Sequence, residues 1–502
     1  MKIQYKMDFT KILASELSMD PANWEDQRKL AHEMVDVMLD LHQFISEKPV
    51  WKEIPNDVKV SFEESLPQTG GNIRAIFEEF KQNILPYPKG NIHPRFWSWV
   101  QGTGSPTAMM ADMLASGLNS NVTIGEHSAM YVDNQVINWM KEMMNFPSTA
   151  SGILLSGASM ANVTGITIAR NAFEDRNIRE KGLAQQDKGK LVMYISAETH
   201  SCVIKAGEIT GIGNDQIRII PVDKDWRMDM AALQKQYELD IEAGFAPFCL
   251  VGNAGTVNTG AIDPLDDQLA FCRKFGLWYH VDGAFGALAK LVPEYSNQLE
   301  AIEKADSLAF DLHKWMYLPY EVACLLVKDA EIHRQAFALQ PSYLKSHERG
   351  LASGPDPITN FGFELSRGFK ALKVWMCLKE HGLPKYAAAI RQNIAQTFYF
   401  ESLLKEHEDI EIVAPATLNI VCYRYNPKNK ALSNDDLNAL NKEILMDLQT
   451  QGVGAPSYTF IDNKYVIRMC NVNHRSRKHD FDALAKESVR IGAENLCKLF
   501  LT

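Results

Sequence analysis

Apolar positions recur along the chain with two different periods, and the changes of period divide it into three stretches. Before about residue 100 the spacing is helical. Leu30, Met34, Val37, Met38 and Leu41 fall on one face of a helix opened by Asp20-Pro21. Pro49, Pro55, Pro67, Pro86 and Pro88 then interrupt the pattern. These features predict an irregular helical segment over 1–103 that buries itself by packing on a partner subunit.

From 104 to 372 short apolar runs alternate with helical patterns. Strands are predicted over 153–155, 191–195, 217–222, 248–251, 277–281, 307–310 and 321–327, and helices over 160–173, 230–241 and 265–275. Such alternation is the mark of βαβ units and a mostly parallel sheet. The short connection before the last of these strands predicts that it pairs antiparallel. Over 373–502 long helices dominate (371–381, 386–407, 434–451, 480–499), with strands at 420–423 and 465–469, which predicts a smaller α+β lobe. The fold class is therefore α/β with helical N-terminal and α+β C-terminal parts.

Composition narrows the function. The 502 residues are 46% hydrophobic and 23% charged, the balance of a globular protein. The net charge of -10 argues against a nucleic-acid partner. No apolar run approaches the roughly 20 residues a bilayer requires, and no signal-peptide core opens the chain, so the expected location is the cytoplasm. The eight cysteines are scattered singly, without a C-x-x-C pair, which predicts reduced thiols and no cysteine-built metal site.

Open parallel sheets bind ligands at the carboxyl ends of their strands. After the first predicted strand comes Ser156-Gly157-Ala158-Ser159, opening a helix whose N-terminal N–H groups suit a phosphate. After the second comes His200, able to stack on a flat ring or move a proton. Asp282 follows an apolar strand and needs a partner, such as a protonated pyridine nitrogen. Lys314 sits between two apolar segments, where desolvation lowers an amine's pKa and frees it to attack an aldehyde. Taken singly, these residues read more readily as a helix cap, a solvated imidazole and a surface lysine, and Asp282 equally well as a cap or ion pair. Together they match the way proteins hold pyridoxal phosphate.

His280-Val281-Asp282-Gly283-Ala284 and His313-Lys314-Trp315 resemble the group II pyridoxal-dependent amino-acid decarboxylases, which include aromatic-L-amino-acid, histidine and glutamate decarboxylases of fold type I. The resemblance extends from about Asp20 to about Asp482 and takes in His93-Pro94-Arg95-Phe96, Gly255-Thr256 and Pro341-Ser342-Tyr343-Leu344-Lys345. It implies a seven-stranded, mostly parallel sheet. It implies that Lys314 carries the cofactor, Asp282 pairs with its ring nitrogen, Ala284 and His200 cover its two faces, and Thr256 lies beside it. Ala158, Ser159 and His313 would surround the phosphate. Tyr343 would lie on a loop reaching the neighbouring subunit's site, which implies a homodimer with shared sites. The resemblance implies an L-amino acid as substrate, and Phe96, Trp97 and Trp99 would suit an aromatic one, although these rings also suit packing between subunits. An acidic substrate held by Arg95 is the alternative. Aminotransferase chemistry through Arg468, an aldehyde synthase, and a homologue without the cofactor are further ones; the intact Tyr343 argues against the aldehyde synthase, and Lys314 with Asp282 against the last.

Overall fold

The computed structural model describes residues 9–14, 16–173, 176–184, 189–339 and 347–499. Contacts group 1–47 with 54–86 as one compact unit and 48–53 with 87–502 as another. In the first unit the helix Trp24–Gln43 starts three residues after Pro21, because the Asn23 side chain accepts from the N–H groups of Glu25 and Asp26 and fixes the first turn there. Glu33 on this helix pairs with Arg74 (3.0 Å) and Lys81 (3.3 Å). Leu30 is its one buried residue.

The second unit contains two sheets. Its larger sheet has seven strands: β2 (Ser151–Leu155), β3 (Leu191–Ser196), β4 (Ile217–Ile220), β5 (Ala246–Asn253), β6 (Trp278–Asp282), β7 (Ser307–Asp311) and β8 (Ala323–Val327). Their spatial order is β2-β8-β7-β6-β5-β3-β4. All pairings are parallel except those of β8, which runs antiparallel to β2 and β7, as the short connection before it predicts. Every residue of β3, β7 and β8 is buried. Helices cover both faces of such a sheet, which is why these strands read as continuous apolar runs instead of alternating ones.

The smaller sheet has the order β1-β11-β12-β10-β9, built from β1 (Phe96–Trp97), β9 (Ile410–Thr417), β10 (Ile420–Tyr425), β11 (Ala455–Ile461) and β12 (Lys464–Cys470). β1 joins it in parallel, with Phe96 opposite Ala455 and Trp97 opposite Pro456. Residues assigned by pattern to the N-terminal segment thus form a strand of the C-terminal sheet. β9 and β11 escaped the pattern because each contains a proline, Pro415 or Pro456. β9 lies at the sheet edge, where a missing N–H is tolerated. The two helices predicted over 371–381 and 386–407 form one element, Ala371–Lys405, broken at Gly382 (φ 69°) just before Pro384. No helix among the described residues is long and apolar enough to cross a membrane.

Candidate active site

A cavity of about 370 Å³ opens at the carboxyl ends of the larger sheet. Its wall includes Trp99, Ala158, Ser159, His200, Asp282, Ala284, His313 and Lys314, so the structure brings together most of the residues that the sequence singles out. The adjacent strands β7, β6, β5 and β3 deliver Lys314, Asp282, Asn253 and His200. The helix Ala158–Ala172 packs across β8, β7, β6 and β5 and brings Ala158 and Asn162 to the site.

Asp282 is buried, and each of its oxygens has a donor. Oδ1 accepts from the Ala284 N–H (3.0 Å) and Oδ2 from the Asn162 amide (3.0 Å). Burial pushes its pKa up, against the pull of Lys314, the Ala284 N–H, His200 and Asn162. His200 precedes the helix Ser201–Ile209. Its Nδ1 accepts from the Cys202 N–H (3.2 Å), which leaves Nε2 to carry the ring proton. His313 is pinned by Val322, whose carbonyl lies 3.0 Å from Nδ1, and its ring lies 4.5 Å from that of Tyr320.

Lys314 departs from expectation. Burial does push its amine down, but Asp311, with Oδ2 at 3.0 Å, and Asp282 more than offset burial and leave the pKa raised. Asp311 also accepts from the Ala158 N–H through Oδ1 (2.7 Å), joining the lysine to the helix start. Sequence reading passed over Asp311. The signal was available, since Asp311 is the cap residue of the helical turn Leu312–Trp315, three positions before the lysine, a spacing that brings the two side chains together.

Three expected positions lie off the wall. Thr256 is buried, with its hydroxyl bonded to Thr259 (3.0 Å), and its neighbours Gly255 and Val257 line the cavity instead. Trp97 is fully buried in the C-terminal lobe, packed on Phe481 (5.3 Å between ring centres) and donating through Nε1 to Ser476 (3.3 Å). Phe96 is buried with Val50 and Ala455. Both corrections follow from β1, whose residues pack within the smaller sheet's surroundings. Only after the chain leaves that strand does Trp99, at φ 49°, turn towards the cavity. Tyr343 lies outside the described residues.

Both candidate substrate arginines are engaged within the chain. Arg95 donates through Nε to Asp480 (2.8 Å). Buried Arg468 donates to the Asn258 carbonyl (3.0 Å), the Val257 carbonyl and Ser457 (3.2 Å), tying the smaller sheet to the loop after β5. Gly102 lies against the backbone of the lysine segment. A Cβ there would meet the carbonyl oxygens of His313 at 2.0 Å and Lys314 at 2.6 Å.

An amine and a buried carboxylate face one cavity of ring size, beside a helix start, at the open end of a mostly parallel sheet. That is the architecture of a fold type I pyridoxal-phosphate enzyme. The profile of the pyridoxal-dependent decarboxylase conserved domain matches residues 55–426, and the chain belongs to that family. It is a pyridoxal-phosphate-dependent amino-acid decarboxylase. It is 35% identical over 455 residues to an aromatic-L-amino-acid decarboxylase of Bacillus atrophaeus, covering 90% of this chain and 92% of that protein. Among solved structures, Oryza sativa TDC with PLP and tryptamine superposes with a TM-score of 0.86 at 25% identity, over 95% of this chain and 99% of that one. Catharanthus roseus tryptophan decarboxylase in complex with L-tryptophan superposes with a TM-score of 0.83 at 26% identity, over 95% and 100% of the two chains.

Proposed function

We propose that the chain decarboxylates an aromatic L-amino acid to its amine and carbon dioxide. The carrying observation is the composition of the cavity wall. Trp99 offers a flat apolar surface on the wall it shares with Lys314 and Asp282, while Arg95, the partner weighed for an acidic side chain, is held by Asp480, and Arg468, the arginine weighed for aminotransferase chemistry, by the loop at 257–258. The aromatic substrates in the names of the relatives agree with this choice.

When bound, pyridoxal phosphate supplies an electron sink for the pair left on Cα as carbon dioxide departs. The residues do the rest. Lys314 would hold the cofactor through Nζ, and Asp311, at 3.0 Å, is the adjacent carboxylate for the proton the lysine would have to lose. Asp282 would hold a proton on the ring nitrogen. Ala284 and His200 would cover the ring, and Ala158, Ser159 and His313, on the same cavity wall at the helix start, would hold the phosphate. The Tyr343 hydroxyl would return a proton to Cα, with the tyrosine supplied by the neighbouring subunit of a homodimer. Exposed Trp24 and Leu39 on the helix Trp24–Gln43 support an apolar face for that partner. The eight free cysteines, seven of them buried, support a cytoplasmic setting.

A panel of L-amino acids assayed for carbon dioxide and amine tests the substrate. Activity on tryptophan, tyrosine or phenylalanine is expected, and activity confined to glutamate or aspartate refutes the aromatic reading. Tyr343→Phe tests the loop: amine yield should fall, and an unchanged yield removes Tyr343 from the reaction.

A further inference from the structure

Behind Asp282 runs a line of buried polar side chains that the chemistry above does not use. Asn162 Nδ2 donates to Asp282 Oδ2 (3.0 Å), and Asn162 Oδ1 lies 2.8 Å from Nε2 of His280. His280 Nδ1 lies 2.7 Å from the Ser307 hydroxyl, which accepts from the indole N–H of Trp278 (2.8 Å). Asn162, His280 and Ser307 are fully buried. The helix carrying Asn162 closes on His280 at Gly165, where a Cβ would stand 2.7 Å from the imidazole Cε1.

The protons in this line can point only one way. A carboxylate only accepts, so the Asn162 amide nitrogen faces Asp282 and its oxygen faces His280. Nε2 of His280 must therefore carry a proton. Burial holds His280 neutral, with its pKa pushed down to about 3, so Nδ1 is bare and takes the Ser307 hydroxyl proton. The indole, which can only donate, closes the far end on the Ser307 oxygen. Both ends impose the same polarity, and each donor strengthens the next.

We infer that the line Trp278–Ser307–His280–Asn162 is a positioning device for the reaction: it delivers one N–H to Asp282 Oδ2 and so keeps that carboxylate an acceptor, leaving the shared proton on the cofactor's ring nitrogen. Without this donor, buried Asp282 would take the proton for itself and the ring would lose its capacity as an electron sink. His280 and Asn162 touch neither substrate nor cofactor in this scheme; they act through Asp282. The inference rests on the proposed pairing of Asp282 with the ring nitrogen.

The test is magic-angle-spinning NMR of the holoenzyme reconstituted with pyridoxal phosphate labelled with nitrogen-15 in the ring, alongside cofactor dissociation measured by absorbance. Wild type should show a protonated ring nitrogen. His280→Phe removes the donor to Asn162 and should move the resonance towards the neutral form, with cofactor retention about tenfold weaker, the worth of one net hydrogen bond to a charged group. His280→Gln, whose amide can still donate to Asn162, should restore the wild-type resonance, which a packing role for the imidazole would not predict. Asn162→Ala leaves the imidazole in place and breaks the line independently, so the test stands even where His280→Phe does not fold. A protonated ring nitrogen unchanged in the variants overturns the relay alone. A neutral ring nitrogen in wild type overturns the pairing with Asp282 and the relay together.

Discussion

Replacing Gly102 by alanine adds one methyl group at the closest approach between the Trp99–Gly104 loop and the lysine segment. The new Cβ would lie 2.0 Å from the His313 carbonyl oxygen and 2.6 Å from that of Lys314. Carbon and oxygen settle at about 3.3 Å, so one of the two backbones must retreat by about 1 Å. Neither can do so freely. The Gly102 carbonyl is bonded to Asn91 (2.9 Å), and the N–H groups of Leu312 and His313 are bonded to Val322 (3.1 Å). Overpacking of this kind costs roughly 1–3 kcal/mol of stability. A shift of about 1 Å in groups that position a substrate costs on the order of 100-fold in rate. The assay is kcat for carbon dioxide release together with the thermal midpoint of the holoenzyme. Gly117→Ala is the control, since nothing lies within 4 Å of its added Cβ. That variant should keep full activity and gain roughly 0.5–1 kcal/mol from helix propensity. If Gly102→Ala matches wild type in both rate and midpoint, the close approach over Lys314 does not exist and the geometry argued from it fails.

Removing the charge beside the lysine with Asp311→Asn should lower the Lys314 pKa, because the carboxylate is what holds it up against burial. The pH midpoint for covalent cofactor loading of the apoenzyme, followed by absorbance, should move to lower pH; an unmoved midpoint would reject that cause. Trp97→Ala should destabilise the chain by about 3–5 kcal/mol in urea unfolding, as loss of a buried indole does, whereas Trp99→Ala should raise KM with little change in stability. The reverse pattern would return Trp97 to the substrate. Glu411 is driven up by burial but held at about 2 by Lys464, Arg424 and Asn426. Its folded pKa lies below the unfolded one, so its contribution is present above the ordinary carboxylate range and fades as pH falls from about 4.5 to about 2. Wild type should exceed Glu411→Gln by about 1–2 kcal/mol at pH 7, after allowance for solvent screening, with the gap closing near pH 2. A gap independent of pH would exclude the linkage.

The larger sheet was legible in the chain because its strands are buried on both faces. Runs such as those at 191–195 and 307–310 stand out against the helices between them, and the residues just past them could be read as one site. The smaller sheet was less so. Pro415 and Pro456 mask two of its strands, and β1 is two residues long and pairs with a strand some 360 positions away, which no local pattern reports. At the site, the residue types were readable but not their facing. Thr256 sits between two wall residues and points its hydroxyl at Thr259, and the lysine's pKa turns on Asp311, a neighbour whose sign outweighs burial. His280 stood in the quoted motif without a role because its partners, Asn162 and Ser307, come from two distant segments.

The short pairing of Phe96–Trp97 with Ala455–Pro456 reaches further than its size suggests. Five residues after Trp97 the same stretch lies on the carbonyls of 313 and 314, having passed Trp99 into the cavity on the way. The same few residues thus pair with the smaller sheet at one end and pack on the lysine segment at the other. Inserting one residue between Trp97 and Gly102 would therefore force the chain to give up either the strand pairing or the approach to 313–314, so one short stretch sets the spacing of both.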